Sequence, residues 1–157
     1  MKKNYIKWLR SKVGHDEIHL NFSVAIIFNQ KGEILLQKRT DKNKWGLPGG
    51  VVELGESHSD AVIREAFEKT GLKVKPQKLL GIYSGPKYKI SYPNGDMVQT
   101  VAVAFYVKVI GGNLKTGVDS ETLELKYFSK NELPEIAGPD FEDMIKDAFN
   151  NKSAVWN

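Results

Sequence analysis

The sequence predicts an α/β fold, a mixed β-sheet held between helices as an α/β/α sandwich, on three observations. Apolar residues alternate along several short runs bounded by turn formers, as strands require. Two stretches, residues 62–67 and 141–149, carry apolar residues at helical spacing. The run 97–109 is apolar on both faces, as in a strand covered from both sides. At 157 residues the chain is long enough for one core and too short for two, so residues 1–157 are expected to form a single domain.

Taken in order, Tyr5, Trp8, Leu9 and Val13 recur at helical spacing and predict a short amphipathic helix over residues 4–13. Its outer face carries Lys3, Lys7 and Arg10, read as solvated. The apolar side has two uses, covering its own sheet or meeting a second copy in a homodimer. Residues 21–29 alternate Phe22, Val24, Ile26 and Phe28 with Ser23, Ala25 and Ile27, then turn and return over 33–39 as a hairpin. Residues 40–50 end in Gly46-Leu47-Pro48-Gly49-Gly50 and read as a loop. Ser57 or Ser59 caps a helix that runs to about Thr70, with Gly71 ending it at positive φ. Val62, Ile63, Ala66 and Phe67 are its expected apolar face. A strand follows over 79–83. Asn94-Gly95 then reads as a two-residue hairpin turn between 87–92 and 97–109. Residues 123–128 make a further strand, and Phe141, Met144, Ile145, Ala148 and Phe149 mark a closing helix.

Composition excludes several classes. No apolar run approaches the roughly 20 residues of a membrane helix. The basic start is interrupted by Lys7 and Arg10 and so is no secretory signal, which leaves a cytoplasmic location as the expectation. Without cysteine there is no disulfide framework, no thiolate metal site and no cysteine nucleophile. Any metal must be held by oxygen or imidazole. A net charge of +4 suits a polyanionic ligand, yet the excess is too modest to indicate nucleic-acid binding.

The informative stretch is residues 50–72, GVVELGESHSDAVIREAFEKTGL. At roughly 100° per residue, Glu65 and Glu68 share one helix face at i and i+3, where two carboxylates can converge on a hard cation such as Mg2+. Solvated surface acids are the competing reading of such a pair. The glycine loop before the helix is placed to lend a carbonyl.

Gly50, five residues, Glu56, seven residues, then Arg64-Glu65-Ala66-Phe67-Glu68-Lys69-Thr70-Gly71-Leu72 resembles the Nudix box, G-x5-E-x7-R-E-U-x-E-E-x-G-U with U aliphatic. The resemblance extends over about residues 20–150 and departs from the pattern at Lys69, where the family has a second glutamate. It implies a Nudix-like sandwich and a hydrolase that cleaves the pyrophosphate bond of a nucleoside diphosphate linked to another group, such as ADP-ribose, using Mg2+ or Mn2+. By the same resemblance, Glu65 is a metal ligand, Glu68 a ligand or water-orienting group, and the Gly49 carbonyl a further ligand. Arg64 holds the glutamates, and Glu56 fixes the loop against the helix and reaches a second ion. Glu121, in the loop before the 123–128 strand, corresponds to a base or ligand in similar enzymes, with an ordinary loop acid as the alternative. Lys69 either touches a substrate phosphate or marks a nucleotide-binding or sensing domain with little turnover. An RNA 5′-end pyrophosphohydrolase is the third reading, resting only on the basic excess.

Outside the box, Arg39 with Lys38, Lys42 and Lys44 is placed to meet phosphates, a solvated basic edge being the alternative. Trp45, Tyr83, Tyr88 and Tyr92 are candidates to stack on a base, against the alternative of core packing. His15, His19 and His58 lack metal-ligand spacing and are read as structural. No phosphate-binding GxxxxGK[ST] loop and no Gly-x-Ser-x-Gly elbow is present.

Overall fold

A computed structural model describes residues 4–157; Lys3 lies outside them. The chain begins with helix α1 (Tyr5–Val13), whose first turn is capped by the Asn4 side chain accepting from the Lys7 amide at 3.0 Å. None of its residues is fully buried. The basic face is not simply solvated, because Arg10 donates to the Met97 and Asp16 carbonyls and pairs with Asp96. These bonds fasten α1 to the rest of the molecule.

The strands are β1 (Ile18–Ile26), β2 (Ile34–Arg39), β3 (Trp45–Gly46), β4 (Gly49–Val51), β5 (Leu72–Tyr83), β6 (Lys89–Ser91), β7 (Met97–Gly112) and β8 (Thr122–Phe128). They form two sheets. One runs β4-β1-β7-β5 with β6 also on β7, and the other β3-β2-β8. Among the described strand pairs, β1 and β7 alone run parallel. The expected β1–β2 hairpin is therefore local: the strands meet at the Phe28–Ile34 bridge and then diverge into different sheets.

Period-two alternation explains why both faces are covered. Val24, Ile26, Ile34 and Leu36 point into a core closed by Met144, Ile145 and Ala148 of α3 (Pro139–Phe149). Ala25, Ile27 and Leu35 point into a second core closed by Val62 and Ala66 of α2 (His58–Thr70). Each fully buried Ile or Leu in these layers contributes about 1.5–3 kcal/mol. The sandwich is thus the direct outcome of strands that are apolar on both sides.

Three local expectations need correction. The buried face of α2 is Ala61, Val62, Glu65, Ala66 and Thr70, whereas Ile63 and Phe67 are exposed, Phe67 at 49%. The helix is rotated so that it presents a carboxylate inward. The β6–β7 turn is longer than two residues: the Gly95 amide bonds the Tyr92 carbonyl, Pro93 and Asn94 are central, and Gly95 follows at φ 92. That is a turn closed by a glycine bulge, which the Asn-Gly pair alone does not distinguish from a type I′ hairpin. Finally, β5 begins at Leu72 and accommodates Pro76 at a register shift. Its outer edge is covered by the tail, where the Ile82 amide bonds the Val155 carbonyl at 2.8 Å.

Candidate active site

Ser57 forms a reciprocal capping box with Asp60 that fixes where α2 starts, and Gly71 ends the helix in the left-handed region at φ 79. With both ends set, Glu65 faces β4, where Gly50 pairs with Ser23 of β1. A methyl group on Gly50 would lie 2.6 Å from Glu65 Oε2, so the carboxylate occupies the space that a side chain would fill. This close approach is the physical reason for glycine at position 50. Ser23 also locks the start of α2, with its Oγ donating to the His58 carbonyl at 2.9 Å and contacting His58 Nδ1 at 2.7 Å.

Arg64 organises the acids. Its Nε and Nη2 donate to the two oxygens of Glu56 at 2.7 and 2.9 Å, and Nη2 also reaches the Val51 carbonyl. Its Nη1 donates to Glu65 Oε1 at 2.8 Å and to Glu68 Oε2 at 3.2 Å. The hydrogen bonds to Glu56 hold the guanidinium charged well beyond its ordinary range. Glu56 in turn accepts from the Glu53 amide, closing the loop before α2.

Glu65 is 7% exposed, and burial pushes its carboxyl up against the opposing pull of Arg64 and Lys69. Its Oε2 is the buried side-chain polar atom without a hydrogen-bond partner among the described residues. An orphaned buried carboxylate oxygen is costly unless something binds it. This oxygen, held close against Gly50, fits a hard cation that takes oxygen donors. Among the described residues no three acidic or imidazole groups are grouped tightly enough to hold an ion on side chains alone. Backbone carbonyls and water would complete the shell.

The cleft beside Glu65 has a volume of about 720 Å³ and is lined by Gly49, Gly50, Glu65, Lys69, Arg39 and Glu121 among others. It thus brings together, from α2, β2, β4 and two loops, groups that the sequence singled out, and Lys42, Tyr88 and Tyr92 line it as well. Glu68 and Glu56 are not in its wall. Glu68 is 54% exposed at the side chain and sits at the margin through Arg64, and Glu56 is held away by the same guanidinium. Lys69 Nζ makes an ion pair with Glu121, joining α2 to the loop before β8. Arg39 lines the cleft with its guanidinium already forked onto Asp41 at 3.1 and 2.8 Å.

Trp45 is a correction. It is 9% exposed, packs edge-on against Phe128 at 4.8 Å between centroids, and lies outside the cleft wall. Its strand pairs with β2, and its ring is packed against Phe128 rather than presented to the cleft. Tyr83 is likewise buried, donating to Asp147. Tyr88 and Tyr92 do line the cleft, Tyr88 donating from its hydroxyl to Asp143 at 2.8 Å. Sequence reading missed Asp140, a cleft residue at the start of α3 whose carboxyl burial pushes up. The Gly138-Pro139-Asp140 helix start was its only signal.

Comparison with known proteins agrees with this fold. The family model described as the NUDIX domain matches residues 17–148. An ADP-ribose pyrophosphatase of Methanocaldococcus jannaschii is 41% identical over 141 residues, covering 87% of this chain and 78% of the relative. A crystal structure of an ADP-ribose pyrophosphatase from Streptococcus suis 89-1591 superposes with a TM-score of 0.64 at 27% identity, covering 88% of this chain and 96% of the other. A NUDIX hydrolase from Nitrosomonas europaea gives a TM-score of 0.70 at 24% identity, covering 87% and 76%, a likeness of fold.

Proposed function

The chain belongs to the Nudix family and is a Nudix hydrolase, and from that premise we propose that it cleaves the pyrophosphate bond of a nucleoside diphosphate joined to another group, ADP-ribose first, in a cytoplasmic setting and with Mg2+ or Mn2+. The observation that carries the metal reading is Glu65 Oε2, buried, without a hydrogen-bond partner among the described residues and close against Gly50 at the cleft. The substrate class is supported by the 41% identical relative named as an ADP-ribose pyrophosphatase.

In this reading Glu65 would hold the ion, with the Gly49 carbonyl and Glu68 as further candidate donors. A bound divalent ion lowers the pKa of water and neutralises charge on the bridging phosphates. The chain's own residues supply placement. Arg64 holds the Glu65 carboxylate through Oε1 and leaves Oε2 facing inward. Arg39 and Lys42 in the cleft wall attract the diphosphate, although Asp41 offsets part of the Arg39 charge. Water adds to one phosphorus, the bridging P–O bond breaks, and ADP-ribose yields AMP and ribose 5-phosphate.

The test is incubation of the purified chain with ADP-ribose, other nucleoside diphosphate sugars, dinucleoside polyphosphates and nucleoside triphosphates, with Mg2+ or Mn2+, and separation of the products. AMP from ADP-ribose is the expected result. No product from any compound with either metal overturns the reading. Tight nucleotide binding in that case would establish the sensing domain that the Lys69–Glu121 pair makes the second reading.

A further inference from the structure

We propose that the Lys69 ammonium is a built-in cation that takes the place of one divalent ion, so that this site binds one metal ion fewer than a carboxylate at position 69 would permit. The proposal rests on the reading of Glu65 as a metal ligand and deepens it to the number of ions.

Lys69 stands one helical turn after Glu65, and both line the same cleft. It interacts electrostatically with Glu65 and makes an ion pair with Glu121 from the loop before β8. Its amine therefore places a positive charge in the cleft that is paired with Glu121 and felt by Glu65, two acids contributed by different elements. The lysine side chain is 18% exposed while Glu121 is 62% exposed. A pair with one such open partner adds little to stability, so its consequence is the placement of positive charge in the cleft wall. An ammonium there repels a divalent ion from Glu121 and leaves Glu65, with the glycine carbonyls, as the position that remains open.

Titration of the metal-free full-length chain with Mn2+ alone tests this, with bound ions counted by loss of the free-ion electron paramagnetic resonance signal and by calorimetry. Wild type is expected to bind one Mn2+. Lys69→Glu is expected to bind a second, and Lys69→Met to tighten Mn2+ binding by about tenfold because a positive charge leaves the site. Circular dichroism checks that each variant is folded, and the methionine variant keeps the test open if the glutamate variant is not. Two ions bound to wild type overturn the proposal. One ion with unchanged number and affinity in every folded variant also overturns it, while leaving Glu65 as a ligand. No ion bound to wild type overturns both this proposal and the metal reading on which it rests.

Discussion

Arg64 grips Glu56 with two hydrogen bonds, Nε to Oε2 at 2.7 Å and Nη2 to Oε1 at 2.9 Å. The same guanidinium reaches Glu65, so one planar group fixes both the loop before α2 and the inward carboxylate. A lysine has a single charged nitrogen and cannot make this fork. Arg64→Lys should cost about 1.5–3 kcal/mol in urea denaturation, since charge-assisted bonds to a mostly buried acid are lost. Under the proposed mechanism it should also lower kcat more than it raises KM, because Arg64 orients the Glu65 carboxylate proposed to hold the metal ion. A variant equal to wild type in both measurements would mean that the fork is incidental.

Glu65→Gln separates the charge of the carboxylate from its shape. Hydrolysis should fall by about 100-fold or more, the scale expected when a charge-stabilising group leaves a site. The metal-free variant should be no less stable than wild type, because burial disfavours the charged form that glutamine removes. Added Mn2+ should raise the thermal midpoint of wild type and leave the variant unmoved. Retention of most activity together with a metal-induced shift would remove Glu65 from the site.

Much of this constellation was legible because the spacing from Gly50 to Leu72 fixes which side chains fall on successive turns of one helix. What spacing does not give is rotation of that helix against the sheet. Ile63 and Phe67 look like core residues by hydropathy, yet they are exposed, because Glu65 rather than an apolar side chain faces β4. Local patterning weighs burial alone, and here the space left by Gly50 decides instead. The same limit explains Trp45, whose position next to a glycine-rich loop suggests a binding residue until its partners in β2 and Phe128 are known. The division into two sheets was equally hidden, since the β1–β2 turn specifies local reversal and not how far the strands stay paired.

Asp96 gives the molecule an acid-sensitive fastening. Its carboxyl is held below the usual carboxylate range, first by the hydrogen bond with His15 at 2.7 Å, and then by Asn94 and Arg10. A carboxyl depressed in the folded state contributes stability that is present above its unfolded value, about 4, and is lost as pH falls through the folded value. The contacts join α1 and the residues after it to the β6–β7 hairpin. Asp96→Asn should therefore be less stable than wild type at neutral pH, with the two thermal midpoints converging in acid. A constant gap between the two curves down to the acid limit would exclude this linkage.

Trp45→Ala distinguishes packing from recognition. The indole is pressed against Phe128, while the Trp45 backbone amide donates to the Glu135 carbonyl and the Trp45 carbonyl accepts from the Ala137 amide. Truncating a large buried aromatic leaves a cavity that strand pairing on β2 cannot collapse, so the cost should be about 3–5 kcal/mol. The cleft wall does not include this side chain, so KM for the best substrate should stay within about threefold, measured well below the lowered unfolding midpoint. Were Trp45 instead a platform for the base, truncation would raise KM strongly with a small loss of stability, since stacking energy is realised only when ligand is bound.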